Sequence, residues 1–208
     1  MLQKLYDKYV CPHLINYAMQ MKPFRKQREK VIPSASGRVL EIGIGSGLNF
    51  NYYNKENVSE VFAVEPDRIL LEKAQQNAKI NNINLNVQQL KAEELPFDNN
   101  SFDTIISTYT MCSIPGLSSA MSEINRVVKP NGKLLFSEHG KSPDMNVFKW
   151  QKRMNGIQKR IAGGCHLDVD IPNEIIKANF KLNKIDSMYV PGPKFLSYHY
   201  WGVASPLK

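Results

Sequence analysis

Between positions 38 and 137 the chain alternates short apolar runs with stretches of helical spacing, and this rhythm excludes most folds. The runs are 38–42 (RVLEI), 61–65 (VFAVE), 85–90 (LNVQQL), 103–107 (DTIIS) and 133–137 (KLLFS). Each has strand length. Residues 67–81 place Ile69, Leu70, Ala74 and Ala78 on one helical face, and the helix predicted over 120–128 is stopped by Lys129-Pro-Asn-Gly132. Strands alternating with helices at this spacing imply βαβ units and a mostly parallel sheet covered on both faces. Farther on, 143–161 has helical spacing, and Asp170 is the expected N-cap of a helix through Ala178, with Pro172 and Glu174 in its first turn. Residues 182–190 and 195–204 are two strands joined by Pro191-Gly-Pro193, a connection so short that one of them must run antiparallel. The expected fold is α/β: a doubly wound, mostly parallel seven-stranded sheet with a C-terminal antiparallel hairpin.

One domain is expected over 1–208. A helical cap spans 1–35, where Leu5, Tyr9, Ile15, Ala18 and Met19 make an imperfect stripe broken near Pro12; the core spans 36–140, and further helices and the hairpin fill 141–208. With 208 residues, 42% apolar and 22% charged, the composition is that of a globular protein with a proper core. No apolar run approaches the ~18 residues of a membrane span, and the N-terminus has no secretory pattern. The three cysteines, Cys11, Cys112 and Cys165, are far apart and form no CxxC, so neither disulfides nor a zinc knuckle are expected and a cytoplasmic location fits. Cys165 and His166 are adjacent, but no third ligand follows at metal spacing, so no metal is expected. The net charge of +8 permits nucleic acid, an anionic membrane face or an acidic small molecule as partner. Its one local concentration, 22–30, reads as the solvated face of a helix.

The first run ends in Glu41-Ile42 and leads directly into GIGSG. A glycine turn that closes a strand and leads into a short helix holds ligands at the carboxyl ends of such sheets. Gly43, Gly45 and Gly47 are spaced G-x-G-x-G; Leu48 stands where a dinucleotide fingerprint needs its third glycine, and no G-K-[ST] follows. Glu41, at the strand tip, would repel a pyrophosphate and attract an ammonium group. Glu65, at the tip of the second run, sits where a carboxylate accepts both hydroxyls of a ribose. Ala92 and Glu93, after the third run, can offer a backbone amide and a carboxylate to an adenine edge. Together these describe a phosphate-free nucleoside with a cationic amino-acid tail, which is S-adenosylmethionine.

VLEIGIGSG, AVEPD, AEELPFDNNSFDTIIS and EINRVVKPNGKLLFSEH resemble, in order, the motifs of class I S-adenosylmethionine-dependent methyltransferases, of the type 11 branch that includes quinone and phospholipid methyltransferases. The likeness covers about residues 36–140. Met111-Cys112-Ser113-Ile114 and Gly164-Cys165-His166-Leu167 are similar to bacterial relatives of membrane-associated thiol methyltransferases, although no hydrophobic N-terminal anchor is visible. The resemblance implies a Rossmann-like methyltransferase fold. It implies Glu41 on the methionine ammonium, Gly43, Gly45, Ser46 and Gly47 around the methionine and ribose, and Glu65 on the ribose, with Pro66 and Asp67 beside the adenine. Ala92 and Glu93 would read the adenine edge, and Ser107 and Thr108 would line the methionine arm. Lys91 stands where many relatives carry Asp or Gly.

Methyl transfer from a sulfonium is chiefly a matter of alignment and exclusion of water. A hydroxyl or carbon nucleophile would also need a general base, and His139, at the tip of the fifth run, is the expected catalytic residue. Glu138 is a second candidate, and Tyr6 and Tyr9 could close over the methionine carboxylate. No [DN]-P-P-[YF] follows the fourth run, so nucleic-acid bases are not the expected acceptors. The expected acceptor is a small or lipid-like molecule bearing a thiol, amine head group or quinol, reached with peripheral contact to an anionic membrane. An RNA methyltransferase and a non-catalytic S-adenosylmethionine-binding module are the alternatives. Oligomeric state is not legible.

Overall fold

The computed structural model describes residues 2–208. Seven strands form one sheet: β1 (Gly37–Ile42), β2 (Val58–Val64), β3 (Leu85–Gln88), β4 (Phe102–Thr108), β5 (Val128–His139), β6 (Phe180–Tyr189) and β7 (Tyr198–Pro206). Their order is β3-β2-β1-β4-β5-β7-β6. The first five run parallel, and β7 inserts antiparallel between β5 and β6. The order reverses between β1 and β4, which makes their carboxyl ends the natural ligand cleft.

Period-two alternation sorts the apolar residues onto two faces. Leu40, Ile105, Leu134 and Phe136 pack with Met121 and Ile124 of α5 (Leu117–Val127) and Ile171 and Ile175 of α7 (Ile171–Lys177). Their neighbours Val39, Ile106 and Leu135 face the other way, onto Ala74 and Ala78 of α4 (Arg68–Ile80). Asp67 caps α4 by accepting from the Leu70 backbone N–H at 2.9 Å. Three N-terminal helices follow one another where one broken helix was expected: α1 (Leu2–Tyr9), α2 (Cys11–Met19) and α3 (Lys22–Val31). Pro12 and Pro23 sit in the first turns of α2 and α3, where a missing N–H costs nothing. The remaining helix is α6 (Met145–Ile161). Among the described residues no helix is long and apolar enough to cross a membrane.

One expectation is corrected. The glycine turn does not lead into an α-helix; only a 3₁₀ turn at Phe50–Tyr52 lies between β1 and β2. Gly43, Gly45 and Gly47 all have positive φ, which breaks any right-handed helix at every second residue. Asp170 is the N-cap of α7 as expected, although its carboxylate pairs with Lys141 Nζ at 3.0 Å and makes no side-chain capping bond.

Candidate active site

At the carboxyl ends of β1, β2 and β4 lies a cavity of about 400 Å³, within the range of roughly 300–1,000 Å³ usual for small-molecule sites. Its floor is the strand tips and the glycine turn. Residues Cys11, Pro12, Ile15, Asn16 and Met19 of α2 roof it, and Tyr109, Thr110, Ser113, Ile114 and Pro115 wall one side.

Glu41 and Glu65 both line this cavity. Glu41, 1% exposed, is held between two donors: Asn49 Nδ2 donates to one carboxylate oxygen and the Tyr53 hydroxyl to the other, each at 2.7 Å. The same Asn49 amide donates to Thr108 Oγ1 at 3.1 Å, tying the tips of β1 and β4 together. Burial pushes the Glu41 carboxyl up to about 7, against the lowering by Tyr53, Asn49 and Arg28. Glu65 accepts from the backbone N–H groups of Gly45 at 2.8 Å and Asp67 at 2.9 Å, and burial lifts it to about 7 as well. Each of its oxygens keeps a lone pair, enough for two incoming hydroxyls.

The glycine turn is more self-contained than expected. Gly43 and Ile44 donate to the Val64 carbonyl, and Gly47 to that of Ile44, so these amides are already paired. Gly43, Gly45 and Ser46 line the cavity, as do Pro66, Asp67, Lys91, Ala92, Glu93 and Thr108. Glu93 accepts from the Gly116 backbone N–H at 3.2 Å, which fixes the loop that carries it.

Other expected residues lie elsewhere. Gly47 faces away from the cavity; a side chain there would collide with the Phe50 ring, so its role is to make the turn. Ser107 is fully buried and donates to Glu138 at 2.7 Å, because alternation turns it inward when Thr108 faces the cleft. Glu138 is itself an internal anchor: it accepts from the backbone N–H groups of Thr110 and Met111. Burial and the nearby Cys112 raise it to about 8. His139 lies off the cavity, its Nε2 3.0 Å from Cys165 Sγ. Tyr6 donates to the Ile161 carbonyl, docking α1 on α6, and Tyr9 is solvent-exposed.

Residues not singled out in the sequence complete the site. Arg28, from the supposedly solvated basic run, is 3% exposed and lines the cavity. Its Nη1 donates to the Met19 carbonyl at 2.9 Å, and its guanidinium lies 5.3 Å from the Tyr109 ring centroid. The spacing Phe24, Arg28, Val31 puts it on the inward stripe of α3, a signal that periodicity could have given. Tyr109 holds φ at +57°, a strained value for a bulky residue and one that recurs at ligand sites. Among the described residues, two buried atoms of this cavity lack partners: Arg28 Nε, a donor, and Asn49 Oδ1, an acceptor. An amino-acid zwitterion supplies the complement of both, so the residues present fit S-adenosylmethionine.

Comparison with known proteins agrees with this geometry. Residues 40–136 match the family described as a methyltransferase domain. The chain is 29% identical over 153 residues to thiol S-methyltransferase TMT1B of Rattus norvegicus, covering 68% of this chain and 59% of that one. It is 31% identical over 147 residues to the ubiquinone/menaquinone biosynthesis C-methyltransferase UbiE of Rickettsia prowazekii, covering 65% and 57%. The chain thus spans less than two thirds of the length of either relative. In fold it is similar to the crystal structure of YcgJ from Bacillus subtilis, with a TM-score of 0.69 at 17% identity over 88% of this chain and 97% of that one. With the matched motifs spread across β1 to β5 and both carboxylates on one cleft, residues 40–136 match the methyltransferase-domain family, and the chain is similar over that stretch to S-adenosylmethionine-dependent methyltransferases.

Proposed function

We propose that the protein transfers the methyl group of S-adenosylmethionine to a small, lipophilic thiol. The observation that carries the cofactor half is the pair Glu41 and Glu65 on one cavity with the unpartnered Arg28 Nε and Asn49 Oδ1. Arg28 holds the ligand carboxylate, Asn49 and Glu41 the ammonium, Glu65 the ribose, and Ala92 with Glu93 the adenine edge. When bound, the cofactor supplies a methyl group already activated on sulfonium. Thr108, Tyr109 and Thr110 border the methionine arm, and the α2 roof excludes water.

The thiol is favoured by what the cavity lining holds. Among the described residues no histidine lines it, so a nucleophile that ionises unaided suits it better than a phenol or carbon acid. Ile15, Met19, Ile114 and Pro115 favour an apolar body on that thiol. Exposed Leu5, Tyr9, Leu14 and Tyr17 beside Lys4 and Lys8 suit delivery of such an acceptor from an anionic membrane face. The rat relative is itself named a thiol S-methyltransferase. The test is methyl transfer from labelled cofactor to a panel of alkyl and aryl thiols, quinols, amine phospholipids and RNA. Labelled thioether as the main product is the expected outcome. Transfer to a quinol or RNA in preference would overturn the acceptor, and cofactor binding with no transfer to any class would leave a binding module.

A further inference from the structure

Sequence spacing shows no metal-ligand pattern, yet the fold brings three donors together outside the cofactor cavity. Cys112 comes from the 3₁₀ turn Met111–Ser113, His139 from the tip of β5, and Cys165 from the loop after α6. Their Sγ, ring nitrogen and Sγ all lie within 4.8 Å of one another, and His139 Nε2 is 3.0 Å from Cys165 Sγ. Both thiols are buried. We propose that Cys112, His139 and Cys165 form a site for a thiophilic divalent cation, with Zn²⁺ as the fitting ion.

Two thiolates and an imidazole are a donor set that zinc prefers, with Zn–S about 2.3 Å and Zn–N about 2.0–2.1 Å. Those bond lengths put the donors about 3.5–4 Å apart around one ion, so only small side-chain adjustments are needed. Binding Zn²⁺ releases the two thiol protons to solvent, and the two thiolates then balance the ion's two positive charges, so the site with its neutral imidazole carries no net charge. Supporting contacts hold the ligands: His166 N–H donates to the Cys112 carbonyl at 2.8 Å, and Ser113 Oγ lies 3.5 Å from Cys112 Sγ. Among the described residues no further Cys, His, Asp or Glu joins the group, so a fourth position remains for water or an exogenous ligand. The ion would clamp the wall that carries Ser113, Ile114 and Pro115 to the loop that carries Gly163, all of which line the cavity.

The site stands apart from the choice of acceptor, and its test reads metal, not methyl transfer. Native mass spectrometry of the unaltered full chain, incubated with Zn²⁺, should give one added zinc less two protons. Co²⁺ titration should saturate at one equivalent with thiolate-to-metal charge-transfer absorption that Zn²⁺ abolishes. Cys112→Ser and Cys165→Ser should each lose stoichiometric binding, whereas His166→Asn, beside the trio in sequence, should retain it. Absence of the zinc adduct and of the charge-transfer band in the unaltered chain would overturn the site. So would a band that survives in the Cys112→Ser, Cys165→Ser double variant.

Discussion

Burial lifts both Glu41 and Glu65 to about 7, so each is about half protonated at neutral pH before the cofactor arrives. A ligand that offers an ammonium to one and a diol to the other needs both ionised and must displace their protons. Below pH 7 each carboxylate then weakens binding by about tenfold per pH unit, about 1.4 kcal/mol. Two acting together approach a hundredfold, about 2.7 kcal/mol. Calorimetry with S-adenosylhomocysteine at pH 5.5, 6.5 and 7.5, in buffers of differing ionisation enthalpy, reads both the affinity and the protons released. Proton release should rise from about one at pH 7 towards two at pH 5.5, and Glu65→Gln should remove about one. The empty protein should respond in the opposite sense. Both folded-state pKa values lie above the ordinary 4.5, so protonation stabilises the fold. That contribution is fully present below about pH 4.5 and is lost as pH rises through about 7, on the order of 3 kcal/mol per carboxylate. The reasoning is refuted if cofactor affinity is flat from pH 7.5 to 5.5, or if Glu65→Gln leaves the slope unchanged.

Replacing Arg28 by Gln removes a charge-assisted partner of the ligand carboxylate and should weaken S-adenosylhomocysteine by about 1.5–3 kcal/mol while leaving adenosine unaffected, as measured by calorimetry. Gly43→Ala places a side chain against Thr110 at a positive φ, so thermal melting should report a loss of at least about 1–2 kcal/mol. Phe102→Ala empties a fully buried position where the Phe62 and Phe97 rings meet edge to face, and denaturant titration should show a loss of about 3–5 kcal/mol.

The alternation of runs made the parallel sheet legible, because the central strands β1 and β4 are apolar enough to be buried on both faces. The hairpin was legible from Pro191-Gly-Pro193, although its insertion order was not: which strand lies beside β5 depends on pairings no local pattern encodes. Glu41 and Glu65 could be placed because they end strands whose tips must converge. Their partners could not. Asn49 and Tyr53 reach Glu41 only through a turn that replaced the expected helix, and Arg28 arrives from α3, which packs against β5 and β7. Ser107 and His139 do not line the cavity, because proximity to a strand tip does not say which way a side chain points; alternation sends Ser107 inward and Thr108 to the cavity. The convergence of Cys112, His139 and Cys165 is long-range in sequence and was therefore invisible to spacing.

The α2 roof has a kinetic consequence. Pro12, Ile15 and Met19 cover part of the cavity, so the position of that segment sets how readily a bound ligand comes and goes. Its neighbour α1 is moored to α6 by hydrogen bonds from Gln3 and Tyr6 to the carbonyls of Arg160 and Ile161, all at an exposed seam. Loosening that mooring, as by Tyr6→Phe, would then quicken release of a bound nucleoside at the expense of grip.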